Sequence, residues 1–194
     1  MNIPYPPSSA SEDDVVAATR YWLEKAVIGL NLCPFAKSVY IKEQVRFVVS
    51  LAETEEALQQ ELANELLLLH EADPEKVDTV LLIHPKVLNT FLEFNDFLEV
   101  ADMIVETLGM EGEIQVASFH PQYQFANTAE DDMSNFTNRS PYPTLHLLRE
   151  ASIDRAVNVF PEASAIFEKN IGTMQRLGKF GWDDLVHDAK TEKD

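Results

Sequence analysis

Between Val45 and Phe119 the chain switches repeatedly between two hydrophobic periods, and that alternation limits its fold more than any other feature. The segments "VRFVVS" (Val45–Ser50), "DTVLLI" (Asp78–Ile83) and "EIQVASF" (Glu113–Phe119) read as strands. Leu58, Leu62, Leu66 and Leu69 mark one intervening helix, from Glu53 to Leu69. Phe91, Phe94, Leu98, Ala101, Ile104 and Leu108 mark a second, from Asn89 to Leu108, closed by Gly109. Strand, helix, strand, helix, strand predicts right-handed βαβ units in an α/β domain of two or three layers, around a small, mostly parallel sheet of three to four strands. "DTVLLI" is apolar almost throughout, as expected of a strand covered on both faces.

The flanks follow from local signals. Ser11 opens a capping sequence before Val15, Val16, Thr19, Trp22, Leu23, Ala26 and Val27, which predicts a helix ending near Gly29. "LNLCPFAKS" reads as a turn, and "VYIK" as a candidate edge strand. After His120 roughly thirty residues carry little apolar periodicity, a length that compact domains reserve for functional or disordered segments. Tyr123, Phe125, Phe136 and Tyr142 give that segment something to pack with, so an ordered loop is expected. Helices over Thr144–Glu150, Ser152–Phe160 and Glu162–Leu177, with a last turn near Trp182, are expected to form a helical C-terminal part. The organisation expected is a loose arm (1–10), one globular domain (11–188) and a frayed tail (189–194).

Composition then excludes several classes. With 33 acidic and 15 basic residues the formal charge is −18, a field that repels nucleic-acid phosphates and anionic membrane surfaces. No apolar run approaches the roughly 20 residues that span a bilayer. "MNIPYPPSSASEDD" lacks the basic and apolar regions of a secretory signal, and the single cysteine cannot form an internal disulfide. A cytoplasmic protein with no nucleic-acid or membrane partner is expected. The N-x-[ST] matches at Asn135 and Asn138 are then coincidental, because glycosylation needs a secreted context.

Chemistry-bearing residues concentrate late in the chain. His84 follows "TVLLI" and His120 follows "QVASF", each just before a proline, which places both at strand carboxyl ends. Open α/β sheets bind ligands there. On a helix, "TLHLLRE" would gather His146, Arg149 and Glu150 on one face, with Arg139 in the preceding turn. The two arginines suit a carboxylate or phosphate, or else a structural pairing with Asp131, Asp132 or Glu150. Asp131 and Asp132 could orient a histidine, or simply cap a solvated loop. Cys33, flanked by Leu32, Pro34 and Phe35, reads as buried and not nucleophilic. No HExxH or CxxC spacing supports a resident metal, and without GxSxG, P-loop or GxGxxG sequences no cofactor is expected.

At "GLNLCPFAK", "VASFHPQYQFA" and "TNRSPYPTLHLLREASID" the chain resembles a bacterial family, the domain of unknown function fourteen-fifteen, from Trp22 to Trp182. The resemblance implies a member of ordinary domain length and assigns no activity, substrate or catalytic residue. The expectation drawn from the residues is an enzyme acting on a small anionic metabolite. His120, assisted by His146 and oriented by Asp131 or Asp132, would move the proton, while Arg139, Arg149, Tyr123 and Asn138 hold the substrate. The alternatives are a metal-dependent hydrolase using His84, His120, His146 and Asp131, and a non-catalytic module in which these groups clasp a loop.

Overall fold

The computed structural model describes residues 10–159 and 165–187. The expected N-terminal arm, but for Ala10, and the expected tail lie outside the described residues, as does the junction between the helices expected over Ser152–Phe160 and Glu162–Leu177. Four strands form the central sheet: β1 (Val45–Val49), β2 (Thr79–Ile83), β3 (Ile114–Phe119) and β4 (Thr144–Arg149), in the order β1-β2-β4-β3. β1 and β2 pair in parallel, with Val45 opposite Thr79. β4 runs antiparallel to both neighbours, setting Thr144 between Ile83 and Phe119 and His146 between Leu81 and Ala117. The sheet is therefore mixed, which corrects the mostly parallel arrangement. β1, β2 and β3 nevertheless share one direction, with β4 inserted between the last two.

β4 also corrects the helix expected over Thr144–Glu150. At a period of two, Leu145 and Leu147 face one side and Thr144, His146 and Leu148 the other. So short an apolar run fits either period, and the sheet decides. Without β4, the fully buried β2 would leave a row of backbone N–H and C=O groups unpaired. A second correction concerns "VYIK", which lies in helix α2 (Ala36–Ile41) and at its end, and not in an edge strand.

The remaining helices follow their sequence signals closely. α1 (Glu12–Trp22) starts at Ser11, whose hydroxyl accepts from Asp14 N at 3.2 Å, and continues as a π-helical turn over Leu23–Ile28. α3 (Glu55–Glu71) is capped by Thr54 and α4 (Phe91–Thr107) by Thr90, each cap being worth about 1 kcal/mol. α5 (Glu150–Val159) leaves β4 directly, and α6 (Ile166–His187) is broken at Gly178, whose φ of +67° lies in the left-handed region.

Both faces of the sheet are covered, giving three layers. On one face α3 and α4 bury Leu58, Leu62, Leu66, Phe94 and Ala101 against Val80, Leu82, Leu145 and Leu147. On the other, α1, its π-helical extension and α6 bury Val15, Trp22, Ala26, Met174 and Trp182 against Leu81 and Ile83. Each of these larger apolar side chains contributes about 1.5–3 kcal/mol through burial. No helix among the described residues is long and apolar enough to cross a membrane.

Candidate functional site

Because β2 and β3 point the same way, His84 and His120 emerge at the same edge of the sheet, on either side of the start of β4. His84 N donates to Pro143 O and His120 N to Asn138 O, at 3.0 and 3.2 Å. Both side chains are wholly buried under α4 and flank one phenylalanine: the His84 and His120 rings lie 5.6 and 5.1 Å from the Phe94 ring. The rim inferred from the strand-then-His-Pro pattern is formed.

The two imidazoles differ in what they leave unused. Gln122 N donates to His120 Nδ1 at 3.0 Å, so the His120 proton sits on Nε2, where it points to Leu88 O at 3.3 Å. Both ring nitrogens are thus taken by backbone. His84 donates through Nδ1 to Val87 O at 3.0 Å, which makes Nε2 the lone pair. That nitrogen is buried and has no hydrogen-bond partner among the described residues. Burial pushes both rings down to about 4, with the charge of Arg139 lowering His120 further, so both are neutral near pH 7.

The other expected site residues divide between this rim and distant places. Arg139 lies beside it, ordering the loop after β3 through Tyr123 O at 3.4 Å and Glu130 O at 2.7 Å, its guanidinium 4.1 Å from the Phe136 ring centre. Tyr123 packs between Phe91 and Phe125, and Asn138 donates to Ser118 O at 3.3 Å. Arg149 stands at the far end of β4, about 17 Å along the strand from Thr144 at the usual rise. There it donates to Leu69 O and to Ala72 O, closing the carboxyl end of α3. His146 projects from the opposite face of the sheet, 2.6 Å from Thr79 Oγ1, and burial pushes it down to about 4. The expected face shared by His146, Arg149 and Glu150 is therefore not formed, and His84, His120, His146 and Asp131 do not converge as a ligand set.

Asp131 is exposed, whereas Asp132 accepts from Ser134 N at 2.9 Å and caps the 3-10 turn Met133–Asn138. Backbone and hydroxyl bonds from Ser134 hold the Asp132 carboxyl below its ordinary value. Among the described residues no group of three His, Cys, Asp or Glu side chains could hold a metal. Cys33 is half-buried, and burial pushes its thiol up, keeping it protonated near neutral pH.

Two residues that matter to the rim are not marked by the sequence. Asn135, fully buried, accepts from Phe125 N and Thr128 Oγ1, both at 2.9 Å, and donates to Ala129 O at 2.8 Å. It is the centre of the loop that covers His120, and its one visible sequence signal is a sequon match. Gln122, whose N–H fixes the His120 tautomer, carries no signal at all. Its side chain, with Gln124 and Glu130, faces Phe91, Leu92 and Asn95 of α4 across a cleft of about 560 Å³. The cleft adjoins the rim through Phe91, whose ring lies 5.6 Å from that of His120.

No curated protein and no solved structure matches the chain. One family, described as a protein of unknown function, DUF1415, matches residues 14–184. The three-layer domain with paired histidines at its sheet rim thus belongs to the DUF1415 family.

Proposed function

We propose that the chain is a cytoplasmic enzyme that acts on a small anionic metabolite at the rim where β2 and β3 end, with His84 as the proton-transfer group and no nucleic-acid partner. The observation that carries this reading is the lone pair of His84 Nε2, wholly buried and without a partner among the described residues. Leaving such an acceptor unmatched costs about 1–3 kcal/mol, which would be recovered if Nε2 took up a proton and donated it to an oxygen of the ligand. A value near 4 makes a weak base. A carboxylate or phosphate placed beside the ring would favour the imidazolium and raise that value toward neutrality, where acid/base catalysis is efficient. Arg139 supplies positive charge next to the rim of an otherwise acidic protein, and the cleft at Phe91 and Gln122 is the entry. His120, with both nitrogens held by backbone, is a positioning residue in this reading. Thermal shifts with pyruvate, succinate and glycerol phosphate test it: at least one anion should raise Tm, and His84→Gln should remove that rise. No response to any anion, or an unchanged response in the variant, would overturn the assignment.

A second reading has its own support. Arg139 and Arg149 both donate to backbone carbonyls, as expected if the polar groups only fasten a loop and a helix end. A rim that binds no small molecule would leave this clasp as the account of those residues.

A further inference from the structure

We infer that the outer edge of β1 pairs with the same edge of a second copy of the chain, joining two sheets into one. In a parallel pair, alternate residues of a strand bond to the neighbour. Ser50 N donates to Ile83 O at 2.7 Å and Thr79 N to Gln44 O at 3.3 Å, so Gln44, Arg46, Val48 and Ser50 are the residues turned toward β2. The N–H and C=O groups of Val45, Phe47 and Val49 therefore point out of the sheet. Among the described residues no strand lies beyond β1, and no hydrogen-bond partner meets these groups. Both faces of β1 are covered, yet it is half-buried along its whole length while β2 is fully buried.

Exposed edges normally carry a device that blocks further pairing. The opposite edge of the sheet is closed by its own chain: Ile114 N donates to Met110 O, Asn138 Nδ2 to Ser118 O and His120 N to Asn138 O. β1 has no such cover. It contains no proline, glycine or lysine, and its one charge, Arg46, is drawn to Glu65 at 3.0 Å. A two-fold axis at Phe47 makes this edge self-complementary. Phe47 then faces Phe47 of the second copy and Val45 faces Val49, each pair exchanging two N–H···O bonds. Arg46 comes opposite Val48, whereas an axis at Arg46 would set two guanidiniums against each other. The acidic side chains of α3 favour a second copy over other strands. α3 runs back along β1, so Glu61, one turn before Glu65, lies toward Val48. Burial, with the charge of Glu61, pushes the Glu65 carboxyl up against the pull of Arg46, and Glu65 Oε2 is buried without a partner among the described residues. Arg46 of the second copy, arriving beside Val48, brings a second cation to these two carboxylates. Any extended strand could satisfy the backbone, but β1 itself carries the cation at this register. The inference is independent of the rim.

Sedimentation velocity of the full chain at concentrations up to about 1 mM tests the pairing. A monomer–dimer equilibrium is expected. Amide exchange resolved by NMR should slow with concentration at Phe47 and Val49, but not at Arg46 and Val48, whose N–H groups already bond to β2. Val49→Pro removes an N–H that has no partner in the single copy, at two symmetric places in the dimer, and should raise the dimer Kd roughly tenfold or more. Val49→Ala keeps that N–H and should change Kd by less than about threefold. Circular dichroism checks that both variants fold. A monomer at every concentration, wild-type affinity in Val49→Pro, equal losses in the two variants, or exchange at Phe47 and Val49 that ignores concentration would overturn the inference. So would a monomer that binds an extended threonine-valine repeat peptide, which would assign the edge to a strand from another protein.

Discussion

Replacing Arg149 by alanine separates a structural arginine from a ligand-binding one. Arg149 Nη2 donates to Leu69 O and Ala72 O, and charge-assisted bonds of this kind are worth about 1.5–3 kcal/mol each. Two considerations reduce the sum. Ala72 is only partly buried, so water can reach part of the freed helix end. Arg149 Nε is itself buried without a partner among the described residues, so its removal returns about 1 kcal/mol. The net expectation is a loss of about 3 kcal/mol, which for a domain of this size lowers Tm by roughly 6–12 °C. Urea unfolding followed by far-ultraviolet circular dichroism measures it, and hydrogen exchange should rise first in the last turn of α3. A change below about 0.5 kcal/mol, well under one such bond, together with lost anion binding, would refute the reasoning and restore Arg149 to a ligand site.

Three further outcomes follow from the same geometry. His84 and His120 have folded values near 4 against the ordinary 6.5 of a solvated imidazole, so the unfolded chain takes up protons that the folded chain refuses. Their contribution is complete above pH 6.5 and is lost as pH falls toward 4, by about 3 kcal/mol for each ring; urea midpoints across that window should fall, and less steeply in His84→Gln. Asn135→Ala strands the Phe125 N–H and should cost about 2–4 kcal/mol, with faster amide exchange through the 122–135 loop and little change in β1. Leu147→Ala, in the fully buried face of β4, should cost about 2–5 kcal/mol by equilibrium unfolding, whereas on a solvated helix it would lose under about 1 kcal/mol.

What the sequence revealed depended on how far each signal reaches. The Leu58 to Leu69 stripe and the Phe91 to Leu108 stripe are long enough to fix a period, and α3 and α4 lie where they indicate. The strands ahead of His84 and His120 were legible as short apolar runs, the proline after each histidine marked where they end, and their common direction brought the two rings to one rim. β4 was not legible. In "TLHLLR" Leu145, Leu147 and Leu148 satisfy a helical or an extended face equally, and what selects the strand is the gap between β2 and β3, a property of remote residues. That one change of period carried the site errors with it, because it moved Arg149 to the far end of the sheet and His146 to the opposite face. The tautomers were equally hidden, since Gln122 N, Leu88 O and Val87 O are backbone groups that no residue type announces.

The most direct test of the rim is proton uptake on ligand binding. Titration of the anion that raises Tm is repeated near pH 5.5, between the free and bound values, in buffers of different ionisation enthalpy, with wild type and His84→Gln. If His84 accepts a proton as a carboxylate or phosphate settles beside it, the wild type should take up close to one proton per ligand, and the variant none. Binding with no proton uptake, or uptake that persists in the variant, would contradict the account.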